Sequence, residues 1–260
     1  MLVTQGPASG FKQTGLLSLS AQLSLDQTIG WTGARIYLNA LASTGGRPND
    51  LAGTLQGINN IEVASNRVRL FEAWLEQDIP AMHATLRLGF SDLNSEFYAS
   101  DSAGLLIGPA YGISSELAAT GSAGPSIFPS TAPMVRLKVE PGRGSYFQFA
   151  AVNADAGVPG DQGGVPPLLQ NGALLIGEAG VAGNSKFALG AWSYTRRQDD
   201  LRLTGPGGDP LPKRAWGAYF LAEQPIFGNK LTAFLRAGIS DGDTGIFSGA
   251  WQAVWELKPC

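Results

Sequence analysis

Leu17-Ser18-Leu19-Ser20-Ala21-Gln22-Leu23-Ser24-Leu25 is the stretch on which the fold turns. Apolar and polar residues alternate without a break, and a period of two sends the two sets to opposite faces of an extended strand. Ala34, Ile36, Leu38 and Ala40 repeat the pattern against Gly33, Arg35, Tyr37 and Asn39. Ala84, Leu86, Leu88 and Phe90 do so against His83, Thr85, Arg87 and Gly89, and Val135, Leu137 and Val139 against Arg136, Lys138 and Glu140. The charges fall on one face only.

Weaker alternation covers 67–77, 145–153, 173–181, 186–196, 214–224, 230–238 and 247–257. The total is about eleven strands, each near the length a tilted membrane strand requires. No helix of ordinary length competes. The links at 26–32, 78–82, 141–144, 182–185 and 225–229 are short, whereas 42–66, 91–133, 154–172 and 197–213 are long and 240–246 is of medium length. Short and long alternate strictly, as tight periplasmic turns and long external loops do in an outer-membrane barrel. A soluble β-sandwich alternates apolar and polar residues equally well, but it has no reason to separate every short turn by a long loop. The reading is one antiparallel transmembrane β-barrel domain over 1–260, partial because too few strands are present to close it.

Composition agrees with many short strands: among 260 residues there are 35 Gly and 16 Pro, with 44% hydrophobic residues and a net charge of -3. Mean hydropathy is only +0.02. No run of about 20 apolar residues offers a spanning helix. Membrane insertion would then require a closed barrel, since only helices and barrels satisfy every backbone group in lipid. The mild acidity gives no support to nucleic-acid binding. Cys260 is the only cysteine and excludes an internal disulfide. Met1-Leu2-Val3-Thr4 opens no signal segment, so a trimmed or fragmentary sequence is expected.

Several segments, in order along most of the chain, resemble the carbohydrate-selective, OprB-like porin family. They are Ile29 to Trp31 with Gly33, Gly57-Ile58-Asn59-Asn60-Ile61-Glu62, and above all Arg69-Leu70-Phe71-Glu72-Ala73-Trp74-Leu75-Glu76-Gln77. Leu86-Arg87-Leu88-Gly89, Asp92-Leu93-Asn94-Ser95-Glu96-Phe97, Asp101-Ser102-Ala103-Gly104 and Gly124-Pro125-Ser126-Ile127-Phe128-Pro129 continue it. Gly190-Ala191-Trp192 and Ala222-Glu223-Gln224-Pro225 are later echoes. The resemblance implies a sixteen-stranded barrel in the bacterial outer membrane, with sugars as permeants, lipid around it and homotrimers as a possible assembly. It implies passive diffusion without a catalytic cycle or cofactor. A general-diffusion porin, a secreted sugar-binding sandwich and a barrel hydrolase are the rival readings.

The candidate sugar contacts are the polar-phase charges Arg35, Arg67, Arg69, Glu72, Glu76, Arg87, Arg136 and Lys138. Guanidinium donors and carboxylate acceptors suit sugar hydroxyls, which both donate and accept. Trp74 and Trp192 could supply an aromatic face, or belong to an interfacial girdle. The 91–133 segment is too long for an ordinary connection. If it folds inward, Glu96, Phe97, Asp101, Ser115 and Glu116 are its plausible contacts; an external loop is the alternative. His83, the only histidine, lacks a Gly-x-Ser-x-Gly elbow and reads as polar lining. A zinc site lacks ligands. Asp241-Gly242-Asp243-Thr244-Gly245 reads as a turn rather than a calcium loop.

Two geometric expectations follow. Leu17, Leu19, Leu23, Leu25, Leu86, Leu88, Phe90, Val135 and Leu137 should share the outward face. Val68 and Leu70 lie on one parity but Phe71, Ala73 and Leu75 on the other, so a β-bulge near Leu70-Phe71 should return all five to the lipid side.

Overall fold

The computed structural model describes residues 2–62, 64–121, 124–226 and 231–257. Cys260, part of the 225–229 turn and the start of the 230–238 segment lie outside them. Fifteen strands are present: β1 (Leu2–Val3), β2 (Gly10–Phe11), β3 (Thr14–Ser24), β4 (Ala34–Gly45), β5 (Arg67–Ile79), β6 (Ala84–Ser91), β7 (Ala132–Gly142), β8 (Ser145–Asn153), β9 (Ala173–Ala182), β10 (Lys186–Tyr194), β11 (Gln198–Thr204), β12 (Pro210–Lys213), β13 (Trp216–Ile226), β14 (Leu231–Ser240) and β15 (Gly249–Leu257). Eleven of them form one sheet in the order β15-β14-β13-β10-β9-β8-β7-β6-β5-β4-β3. The pairs are antiparallel between chain neighbours, with one exception: β10 meets β13 across the β11–β12 hairpin. β3 and β15 remain the two edges, so the sheet is open, a partial barrel. The eleven expected strands are these eleven.

Because neighbours are antiparallel, the short links gather at one end and the long ones at the other. The long end carries 46–66, 92–131, 154–172, 195–215 and 241–248. Several bounds shift by a few residues from expectation; the largest shift is at β4, which continues to Gly45 and shortens the first long loop, and the 195–215 connection contains the β11–β12 hairpin.

The wall is inverted relative to a soluble sheet. Leu17, Leu19, Leu23, Leu38, Val68, Leu88, Val135, Leu137, Phe147, Phe149, Leu189 and Trp251 are exposed, while Arg69, Glu72, Glu76, Arg87, Arg136, Gln148, Glu178 and Arg236 are buried. Register confirms a shared outer face, with Leu75 opposite Leu88, Leu88 opposite Val135, and Leu86 opposite Leu137. Leu25 is the exception: it opens a short helix, Leu25–Ile29, and is buried. The strand ends one residue earlier, at Ser24, so Leu25 no longer follows its parity. No helix among the described residues is long and apolar enough to cross a membrane.

The expected bulge is present. Asn39 pairs with Glu72 and Ala40 with Leu70, which leaves Phe71 as the extra residue. Val68, Leu70, Ala73 and Leu75 thereby fall opposite Ala42, Ala40, Leu38 and Ile36 on the outer face. Phe71 itself does not join them. It is buried against Phe128, with ring centroids 5.9 Å apart, and its carbonyl accepts the Thr131 hydroxyl. The unpaired residue of a bulge is free of the pleat's alternation, and a greasy ring there covers the returning loop.

Candidate functional site

The 92–131 connection lies on the inner face of the sheet. Leu93, Phe97 and Tyr98 are fully buried, and with Ile113 and Leu117 they pack against Tyr146, Val152, Leu174, Ile176, Trp192, Tyr219 and Leu221 of the wall. The loop thus brings its own hydrophobic core into a space that the alternation reserves for water, and burial of this size is what holds a long loop in place. This decides the alternative left open by sequence in favour of an inward loop.

Polar wall side chains grip the loop's backbone. Glu72 accepts from Asp92 N at 3.2 Å, Glu178 from Tyr98 N at 2.8 Å, and Glu223 from Ser102 N at 3.2 Å and from the hydroxyls of Ser100 and Ser102. Gln148 donates to Glu96 O, Lys186 to Ala99 O, and both Arg236 and Gln252 to Ala110 O. Glu178 is buried among four donors and, among the described residues, has no ion-pair partner, since Tyr219 Oη (2.7 Å), Tyr146 Oη (2.8 Å) and Gln148 Nε2 (3.0 Å) join Tyr98 N. A buried carboxylate is tolerable only when its lone pairs are so filled. Gly190 makes this possible. It faces both Glu178 and Tyr219, and a Cβ there would come 2.1 Å from Tyr219 Cζ, so the tyrosine lies flat across the glycine to reach the carboxylate.

Beside the loop is a closed charge network. Glu76 binds Arg35 through Oε1, and Arg87 Nε and Arg136 Nη2, each at 2.7 Å, through Oε2. Glu96, from the loop, completes it with Arg87 Nη1 at 2.7 Å and Arg136 Nη2 at 2.9 Å. Strand register places Arg35, Glu76, Arg87 and Arg136 in one row across β4 to β7. The next row places Tyr37 against Trp74, stacked at 5.0 Å, and Arg87 Cζ lies 3.9 Å from the Trp74 ring centroid on the other flank. Asp78, 3.7 Å from Arg35 Nη2, joins at the edge, so three cations face three carboxylates and the network presents oriented donors and acceptors in near balance.

Of the sequence-predicted residues, Arg35, Trp74, Glu76, Arg87, Glu96 and Arg136 therefore meet at one level. Glu72 is one step away, holding the loop's entry at Asp92. Arg67 and Arg69 belong instead to the rim. Arg67 reaches Ser65 and Gln162, and Arg69 is paired with Asp161. Burial would raise the Asp161 pKa, but Ser130, the Val158 N–H and Arg69 together bring it below the usual carboxylate range. Lys138 stands at the side, half-exposed, 3.0 Å from Glu140 and over the Tyr146 ring. Asp101 lines a cleft of about 450 Å³ toward the short turns with Lys186, Glu223 and Glu256. Trp192 is neither a free aromatic face nor part of a girdle: it is sealed in the core against Gly217 and Tyr194. Trp74 is half-buried, stacked on Tyr37 and with Arg87 Cζ over its ring.

Ser115 accepts from Gln56 and so ties two long loops together. Glu116 is buried beside Gly238. His83 ends the exposed Pro80–Met82 turn with φ 49. Asp241 caps its own turn through Asp243 N, Thr244 N and the Thr244 hydroxyl, the turn reading of that motif. Sequence reasoning missed Glu178, Glu223, Gln148 and Arg236. Their one signal was a polar residue breaking an apolar run, as Glu178 does between Ile176 and Val181.

The family described as "Carbohydrate-selective porin, OprB family" matches residues 8–258. Among solved structures, the high-pH structure of Pseudomonas putida OprB superposes with a TM-score of 0.81 at 17% identity, covering 98% of this chain and 67% of that one. The low-pH structure of the same protein gives 0.54 at 14% identity, covering 94% of this chain and 63% of that one. The chain thus spans about two thirds of the length of these porins. No curated protein sequence matches.

Proposed function

Because this chain belongs to the OprB family of carbohydrate-selective porins, we propose that it forms the wall of an outer-membrane channel that sugars cross by passive diffusion. Family and fold point to a channel rather than an enzyme. The observation that carries the finer reading is the row Arg35-Glu76-Arg87-Arg136, which the inward loop meets through Glu96. A sugar losing part of its water there meets oriented donors and acceptors in its place, and a neutral solute pays no penalty for entering a nearly balanced set of charges. The residues divide the labour. Glu76, Arg87, Arg136 and Glu96 satisfy one another and set the shape, while the more accessible Arg35 and Lys138 are the contacts that exchange with passing hydroxyls.

The test is swelling of liposomes carrying the protein in isotonic sugars and in zwitterionic amino acids of similar mass. Faster entry of the sugars, reduced by Arg35→Ala and Lys138→Ala, is the expected result. Entry governed by size alone would make the channel a general-diffusion porin.

A further inference from the structure

At the long-loop rim the 46–66 and 92–131 connections enclose a second cleft, of about 410 Å³, lined by Arg47, Asn49, Asn59, Asn60, Glu62 and Phe128 among others. We propose that this cleft is a docking site where a sugar binds before it enters the constriction, an inference that rests on the porin reading above.

Its size falls within the usual range for small-molecule sites, about 300–1,000 Å³. Its lining is held rather than loose. Glu62 accepts from Asn49 N at 2.9 Å and from Ile58 N at 3.3 Å, and Asn59 Oδ1 takes Ile61 N and Glu62 N, each at 2.9 Å. Asn60 N donates to Ile107 O at 2.9 Å, which stitches one connection to the other. Phe128 is braced edge-on by Phe71, the bulged residue of β5, so the bulge supports the floor of the cleft.

The chemistry selects the ligand class. Arg47 is paired with Asp50 at 3.3 Å and both Glu62 oxygens accept backbone N–H groups, so neither charge stands ready for a phosphate or a metal cation. The Asn49 amide is taken up by Thr54 and the Asn59 oxygen by two backbone N–H groups, so the Asn60 amide, as donor and acceptor, and the Asn59 N–H group are what the lining offers a ligand beside one phenyl ring. That combination suits a neutral polyhydroxylated ring, with hydroxyls toward the amides and a C–H face toward Phe128.

The experiment titrates ion current through the protein in planar bilayers with glucose and with maltotriose. Asn60 is exposed and Arg47 has a single surface partner, Asp50 at 3.3 Å, so the double variant Arg47→Ala/Asn60→Ala should fold, read as heat-modifiable migration. Ala64→Trp, also at an exposed lining position, fills the cleft without removing a polar group. Both variants should raise the half-blocking sugar concentration about three- to tenfold, the worth of one or two hydrogen bonds, with sugar-free conductance unchanged. A folded variant of either kind with an unshifted half-blocking concentration overturns the docking site, as does a wild-type current that ignores both sugars. Liposome swelling in the same sugars is read in parallel. If wild type swells, the porin reading stands whatever the fate of the cleft.

Discussion

The Glu178 carboxylate on β9 accepts the backbone N–H of Tyr98 at 2.8 Å, across 80 residues of sequence. The loop is thereby tied to the wall through its main chain, so the tie depends on where Tyr98 lies rather than on its ring. The ring contributes separately, stacking on Tyr219 at 3.9 Å, while the Tyr219 hydroxyl donates to the same carboxylate. One carboxylate thus orders a segment of loop and two aromatic rings of wall.

Glu178→Ala should loosen the loop without unfolding the sheet. It removes four hydrogen bonds to a buried charged acceptor, for a cost of about 3 kcal/mol or more. The expected outcome is faster proteolysis within 92–131 and a larger single-channel conductance in planar bilayers. Gly190→Ala should act in the same direction, because the added methyl displaces Tyr219 from Glu178. A Glu178→Ala channel of unchanged conductance would show that the loop is held by its apolar contacts alone.

Glu76→Ala should strip the charge network of its hub. Arg87 and Arg136 would then share only Glu96 and Arg35 would keep only Asp78, and removing one partner of a buried pair typically costs about 3–5 kcal/mol. The heat-modification midpoint should fall, and reversal potentials in a salt gradient should shift toward anions. For the same reason Arg87→Ala and Arg136→Ala should affect stability as well as flux, unlike substitutions of a free lumen charge.

Asp92 makes the loop's entry sensitive to pH. Loss of water around it, with Glu72 and Glu96 nearby, pushes its pKa up to about 7, against the Asn94 N–H that favours the charged form. A raised carboxyl pKa means that the folded state holds the proton longer than the unfolded chain. Stability is therefore greatest below the unfolded value near 4, and it is lost as pH rises through about 7. Hydrogen-exchange protection in 92–131, taken relative to the intrinsic base-catalysed rate at each pH, should be weaker at pH 8 than at pH 5. Asp92→Asn, which keeps an oxygen for Asn94 N, should remove most of that difference.

Legibility followed the environment of each face. Strands with an apolar outer face and a polar inner face, such as β7 with Val135 and Leu137 out and Arg136 and Lys138 in, announce themselves by alternation. β9 does not: Leu174 and Ile176 face inward against the loop, so both of its faces are apolar and Glu178 reads as an interruption. The charge row was visible as a set of polar-phase residues, but its pairing was not, because pairing depends on register between strands and on a glutamate from a loop. The bulge could be placed from parity alone. The direction of Phe71 could not, since the unpaired residue obeys whatever packs against it.

Adjacent residues on β7 offer the sharpest test of the wall. Leu137 is exposed on the outer face opposite Leu86 and Phe149, whereas Lys138 is on the inner face, beside Glu140 and the Tyr146 ring. In lipid an arginine at Leu137 must be drawn out of water, at a cost of about 2–4 kcal/mol near the midplane and less toward the interfaces. At Lys138 the lumen hydrates the side chain, and its one carboxylate partner is largely exposed, so Lys138→Ala should be close to neutral for folding. Leu137→Arg should therefore lower the urea midpoint of folding into bilayers and leave the ion selectivity of the molecules that do fold unchanged. Lys138→Ala should do the reverse, keeping the midpoint and shifting selectivity toward cations by removal of a positive charge. Equal destabilisation by the two would place both faces in the same medium, which an inverted wall forbids.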